Sequence, residues 1–125
     1  MIQELREEVK SADGFMIVAH PFRGFKTFGI GQLQMTVEHA CKRKVLEFVD
    51  AIEVGNGKLS ADENDMARKV AEKLGLPGTG GSDAHRIEDV GTWLTVFEKE
   101  IQDESQLVEE LHAGRFRAVK EGWQT

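Results

Sequence analysis

The sequence has little of what would commit it to the disulfide-rich, membrane or nucleic-acid-binding classes. Its single cysteine, Cys41, excludes an internal disulfide, and its place in a helical pattern reads as a small buried hydrophobe. No apolar run approaches the roughly 20 residues that span a bilayer. The N-terminus is amphipathic, not a basic patch followed by an apolar block, so no signal peptide is read and a reducing cytoplasm is expected. Cations are in deficit: 16 Lys and Arg against 22 Asp and Glu leave a net charge of −6, the wrong sign for a general nucleic-acid surface. Neither an internal repeat nor a low-complexity segment is visible. What remains is a soluble globular composition, 40% hydrophobic and 30% charged, in 125 residues that suffice for one domain and one core. Acidic bulk still admits a small phosphorylated substrate held by a few local cations.

Ile2, Leu5 and Val9 recur at helical spacing and predict a short surface helix over residues 2–11. Phe15 to Ala19 is a continuous apolar run, which predicts a strand buried on both faces, as in parallel sheets. His20 ends it, and Pro21 forces the chain out of regular structure. Pro21 to Gly31 carries Phe22, Arg23, Phe25, Lys26 and Phe28, a loop long enough to cover a site. Helical spacing resumes over residues 33–49 through Val37, Ala40, Cys41, Val45, Phe48 and Val49, with Lys42-Arg43-Lys44 as its solvated face. Ala51 to Val54 is a second strand, closed by Gly55-Asn56-Gly57. Ser60 and Glu63 form the Ser-x-x-Glu of a capping box, opening a helix that Gly75 and Pro77 stop. Trp93–Phe97 reads as a strand, Asp103–His112 as a helix and Phe116–Val119 as a last strand. Strands alternating with helices predict an α/β fold with a mainly parallel sheet.

The chemistry-bearing residues sit at the predicted strand ends. Gly80-Gly81-Ser82-Asp83-Ala84-His85 places a carboxylate and an imidazole two residues apart. In an extended strand both would point to one face, an arrangement that suits a divalent transition metal. The alternative is a capping Asp beside a surface His. His20, then Glu53 with Asn56, then Asp83 with His85 fall at three successive strand ends, where α/β proteins gather function.

Ala19-His20-Pro21-Phe22-Arg23, Ala51-Ile52-Glu53-Val54-Gly55-Asn56, Gly80 to His85, and Val90-Gly91-Thr92 occur in an order that resembles the later motifs of the PHP (polymerase and histidinol phosphatase) domain. The resemblance covers nearly the whole chain. It implies the C-terminal portion of an irregular seven-stranded β/α barrel whose strand ends hold up to three metal ions. Members hydrolyse phosphate esters, including histidinol phosphate, nucleotides and short nucleic acids. By position, the resemblance implies that His20, Asp83 and His85 are ligands for zinc, manganese or iron. It implies that Arg23 is a catalytic phosphate contact, since a guanidinium fork suits phosphate oxygens. Glu53 and Asn56 become supports behind the ligands or substrate-facing groups.

The His-x-His strand and further ligands that open a PHP domain have no counterpart here. His39 reads as a helix residue and His112 as a cation at a helix C-terminus. The expectation is therefore a single domain over residues 1–125 that resembles a C-terminal PHP half. Each metal position keeps about one ligand where a stable zinc site takes three or four, so metal binding should be weak or partial. Half a barrel exposes strand edges and apolar surface, so a homodimer or a partner chain supplying the missing half is expected. The chain would be a C-terminal piece of a longer enzyme, one half of a split enzyme, or a degenerate module. The function expected is that of a metal-dependent phosphoesterase, incomplete and inactive alone. The alternative is a non-catalytic PHP-derived module that binds a ligand or partner.

Overall fold

A computed structural model describes residues 1–27 and 35–122. The elements run α1 (Ile2–Ser11), β1 (Ile17–Val18), α2 (Val37–Ala40), β2 (Ala51–Asn56), α3 (Ala61–Leu74), β3 (Gly78–Gly81), β4 (Trp93–Phe97), α4 (Glu104–Ala113) and β5 (Phe116–Lys120). β1, β2 and β3 form a parallel sheet in that spatial order, with Ile17 opposite Ala51 and Ile52 opposite Gly78. β4 and β5 form a separate antiparallel pair, from Trp93 opposite Lys120 to Phe97 opposite Phe116. The fold is thus mixed α/β with a small parallel sheet, and no closed barrel is formed among the described residues.

The core lies where the apolar stripe of α3 meets β2 and the first loop. Met66, Ala67, Val70 and Ala71 recur at helical spacing and pack with Ile52, Leu46, Phe22 and Phe25. The sequence marks α3 at both ends. Ser60 Oγ accepts from the Glu63 amide at 3.2 Å, and Glu63 Oε1 accepts from the Ser60 amide at 2.9 Å. Gly75, at φ 68°, adopts the left-handed turn that ends the helix. The β4–β5 pair packs on β3 through a close backbone approach. Thr95 Oγ1 accepts from the Gly80 amide at 3.0 Å and donates to the Gly80 carbonyl at 2.8 Å. A Cβ at Gly80 would stand 2.4 Å from the Leu94 carbonyl oxygen, so only glycine admits this contact.

Four sequence expectations are corrected. Phe15 to Ala19 does not make a strand buried on both faces. Among the described residues β1 has two residues, borders β2 alone, and leaves Ile17 44% exposed, because the hydrophobic run lies at the edge of a three-stranded sheet. The helix expected over 33–49 is broken into α2 and a 3₁₀ turn, Lys44–Glu47, and residues 33 and 34 lie outside the described residues, as does the Phe28–Gly31 part of the loop. Arg43 causes the break. Its backbone is extended (φ −62°, ψ 124°), and its guanidinium donates to the Pro21 carbonyl and lies 5.6 Å from the Phe22 ring centroid. Arg43 is therefore not part of a solvated face. The last two strands pair antiparallel, because the Asp103–Gly114 connection folds back instead of crossing over the sheet.

Helix α1 buries none of its residues. A two-pronged ion pair ties it down: Arg6 Nη1 and Nη2 donate to Asp50 at 2.5 and 2.6 Å, and Asp50 Oδ2 also accepts from the Met16 amide at 2.8 Å. Arg6 holds the Asp50 carboxyl below its ordinary range against the upward pull of burial, with the Met16 amide assisting. A depressed carboxylate pKa contributes stability that is present above the unfolded value near ~3.9 and is lost as pH falls through the folded value. We predict that Asp50→Ala lowers stability at pH 7 by about 1.5–3 kcal/mol. Its deficit against wild type should shrink as pH drops below ~4, as read from urea midpoints. Equal midpoints at pH 7 would show that α1 is held by something else.

Candidate functional site

The parallel register carries the carboxyl ends of β1, β2 and β3 to one edge of the sheet. His20 lies just past β1, Glu53 and Asn56 lie within β2, and Asp83 lies just past β3. Strand alternation alone would send Glu53 and Asn56 to opposite faces. A β-bulge prevents this: Glu53 pairs with Thr79 and Gly55 with Gly80, so β2 uses one extra residue there. Asn56 Nδ2 consequently reaches Glu53 Oε2 at 3.0 Å and Asp83 Oδ2 at 3.3 Å.

Asn56 is the hub, only 1% exposed. Its Oδ1 accepts from the Lys58 amide at 2.8 Å, and its backbone exchanges two hydrogen bonds with the Asn64 side chain, at 2.9 and 3.1 Å. Every polar group of a buried asparagine is thus satisfied, which is what makes its burial tolerable. Glu53 Oε2 also accepts from the His20 amide at 2.8 Å, so the turn after β1 is fixed by β2.

His20 (φ 31°) and Asp83 (φ 51°) both have left-handed backbone conformations that non-glycine residues seldom take. Strain of this kind persists only where surrounding bonds over-determine it, and it concentrates at functional sites. The Asp83 carboxylate forms an ion pair with Arg23. Burial pushes its pKa upward, but the Asn56 amide, the Arg23 guanidinium and the neighbouring His20 together hold it below the usual range. The Arg23 turn is itself anchored. Glu63 closes the capping box with one oxygen and accepts from the Gly24 amide with the other, and Lys26 pairs with Asp62. The Gly24 amide, followed by the Ser60 amide, keeps Glu63 ionised below its ordinary range.

His85 stands differently from expectation. β3 stops at Gly81, so Asp83 and His85 lie in the turn beyond it and the strand-face convergence read from Asp-x-His does not occur. Instead the imidazole Nδ1–H donates to the Asp83 carbonyl at 2.7 Å. A carbonyl can only accept, so the neutral ring carries its proton on Nδ1 and keeps the lone pair on Nε2. The structure therefore brings together His20, Arg23, Glu53, Asn56 and Asp83, with His85 joined through a backbone carbonyl. Sequence reading missed Asn64, Asp89 and the second role of Glu63. The capping-box pattern marks Glu63, but not its bond to Gly24.

Among the described residues no three His, Cys, Asp or Glu side chains converge to hold a metal ion. Asp83 already shares its carboxylate with Arg23 and Asn56. These residues alone do not fit the three or four ligands of a stable zinc centre. A cleft of about 490 Å³ adjoins the hub, lined by Asn56, Asn64, Trp93 and Lys120 among others.

Residues 61–116 are similar to the family described as PHP-associated, in keeping with the resemblance to the later part of a PHP domain. The segment includes Asp83 and His85, while His20, Arg23, Glu53 and Asn56 precede it. No curated protein matches the chain. Its fold is similar to the crystal structure of PsfC from Pseudomonas syringae PB-5123, with a TM-score of 0.61 and 22% sequence identity over 98% of this chain. The chain spans 46% of the length of that protein. No helix among the described residues is long and apolar enough to cross a membrane.

The site's packing generates a prediction at Gly81. A Cβ there would stand 2.7 Å from Glu53 Oε1, so Gly81→Ala must shift the carboxylate whose Oε2 accepts from the His20 amide and the Asn56 side chain. We expect the His20 amide to shift and exchange faster in NMR spectra, with a stability loss of about 1 kcal/mol. An unmoved His20 amide would mean that Glu53 does not hold that turn.

Proposed function

We propose that the chain is the C-terminal part of a PHP-type phosphoesterase, incomplete as a catalyst by itself, with its phosphate contact at Arg23. The observation that supports this most is the convergence of His20, Arg23, Glu53, Asn56 and Asp83 at three adjacent strand ends, with backbone strain at two of the three residues proposed as ligands. Two roles follow from the geometry. Arg23 is half-exposed, so its guanidinium can leave Asp83 for a phosphate oxygen at little cost. Asn56 and Glu53 are supports that hold the His20 and Asp83 turns in place. His20, Asp83 and His85 would each offer one ligand to a divalent ion (zinc, manganese or iron). Further ligands would have to come from outside this set, from a second copy or from a partner chain.

The second reading is a non-catalytic module that binds a ligand or partner through the same site. The Arg23–Asp83 pair favours it, since a guanidinium already neutralises the carboxylate that a metal would need.

The test combines inorganic phosphate titration by NMR with elemental metal analysis and hydrolysis of a generic phosphate ester, on protein sized by light scattering. We expect phosphate to shift the amides of His20 to Gly24, and Arg23→Met to weaken its binding at least tenfold. We expect metal well below one ion per chain and no turnover. Stoichiometric metal with hydrolysis would overturn the incompleteness of the site. Phosphate binding that is absent or unaffected by Arg23→Met would remove the phosphoesterase reading in favour of the second.

A further inference from the structure

The turn that carries Asp83 and His85 has almost no apolar burial to hold it. Ile87 and Val90, its two large hydrophobic side chains, are 88% and 71% exposed. Its shape must rest on polar bonds. At the neck, Ser82 Oγ accepts from the Gly91 amide at 2.8 Å and donates to the Trp93 carbonyl at 3.2 Å. Further out, one carboxylate oxygen does most of the work: Asp89 Oδ2 accepts from the His85 amide at 3.1 Å and the Arg86 amide at 3.2 Å, and pairs with Lys58 Nζ at 2.6 Å. Lys58 belongs to the loop after β2, and its own amide donates to Asn56 Oδ1.

These bonds close a ring. From Asn56 it passes to Lys58, across the ion pair to Asp89, to the His85 amide, through the His85 imidazole to the Asp83 carbonyl, and back through the Asp83 carboxylate to Asn56. A closed ring is what an over-determined turn requires, and it contains Asp83 at φ 51°.

We propose that Lys58 and Asp89 are positioning residues that lock the Asp83–His85 turn onto Asn56, holding the Asp83 carboxylate and the His85 ring in the orientation the site uses. Its service to phosphate or metal rests on the function proposed above, whereas the locking itself does not. The Asp89 side chain is 12% exposed, and Lys58, aided by the His85 amide, pushes its pKa down to about 2, so the ion pair persists throughout the neutral range. Charge repulsion does not oppose the lock: the groups facing Asp89 are Lys58 and Arg86, both cations, the latter 3.8 Å away.

The experiment is residue-resolved hydrogen exchange by NMR on Asp89→Ala, Asp89→Asn, Lys58→Met and Lys58→Arg, each also titrated with inorganic phosphate. In Asp89→Ala, the His85 and Arg86 amides should exchange at least about tenfold faster, while Ile52 and Val70 in the core stay as in wild type. Asp89→Asn keeps an acceptor and should lose less protection, Lys58→Met should fall between, and Lys58→Arg should restore the wild-type pattern. Unchanged His85 and Arg86 amides in Asp89→Ala would overturn the proposal. So would loss of protection across the whole sheet, since Asp89 would then support the fold and not the turn. If the variants show these exchange effects but the wild-type protein binds no phosphate, the lock stands and the proposed function fails. If phosphate binds and the variants exchange like wild type, the reverse holds.

Discussion

The parallel pairing of β2 with β1 on one side and β3 on the other, interrupted by a single bulge, governs where every polar group of the site can stand. A strand that slips by one residue sends all its side chains to the opposite face, so the register is not negotiable once Ile52 is buried in the core. Within that constraint, regular alternation would still separate Glu53 from Asn56. The extra residue at the bulge turns Asn56 back toward Glu53, and the two then gather the turns after β1 and β3. The buried asparagine is stable there because nothing on it is left unpaired.

The site that results is unevenly stiff. Around Asn56 the bonds are shielded, and breaking one strands a buried polar group, which is costly. At its mouth the Arg23–Asp83 pair is open to water, where exchanging one partner for another costs little. A ligand anion would meet a guanidinium that is free to turn, on a backbone turn that is not, because Glu63 and Arg43 both grip it. Pairing a yielding cation with a fixed frame favours capture of a charged group without rebuilding the site around it.

Much of this was legible in the sequence, and the failures share a cause. The capping box at Ser60, the apolar stripe of α3, the β4 strand and the three strand-end residues are local patterns, and local patterns report local structure. At Asp83 the Asp-x-His spacing fits a period of two and so predicts a continuing strand. Nothing in the spacing records that β3 stops at Gly81 and that the backbone reverses to positive φ. The long helix expected before β2 failed for a similar reason. Arg43 leaves the helical conformation for Pro21 and Phe22, contacts between segments far apart in the chain. Bulges and long-range ion pairs such as Lys58–Asp89 are likewise set by tertiary placement, which composition and periodicity do not encode.

The two edges of the parallel sheet are not equivalent. Half a barrel predicts two open strand edges, yet β3 lies against the β4–β5 pair, and the Gly80 amide and carbonyl are both taken by Thr95. Among the described residues β1 pairs with β2 only, and Ile17 stays partly in water. Any strand that extended this sheet would have to add at β1, on the side where His20 stands. Groups arriving by that route would reach the proposed ligand His20 first and Asp83 only across Glu53 and Asn56. The β4–β5 pair takes up the other edge, at β3.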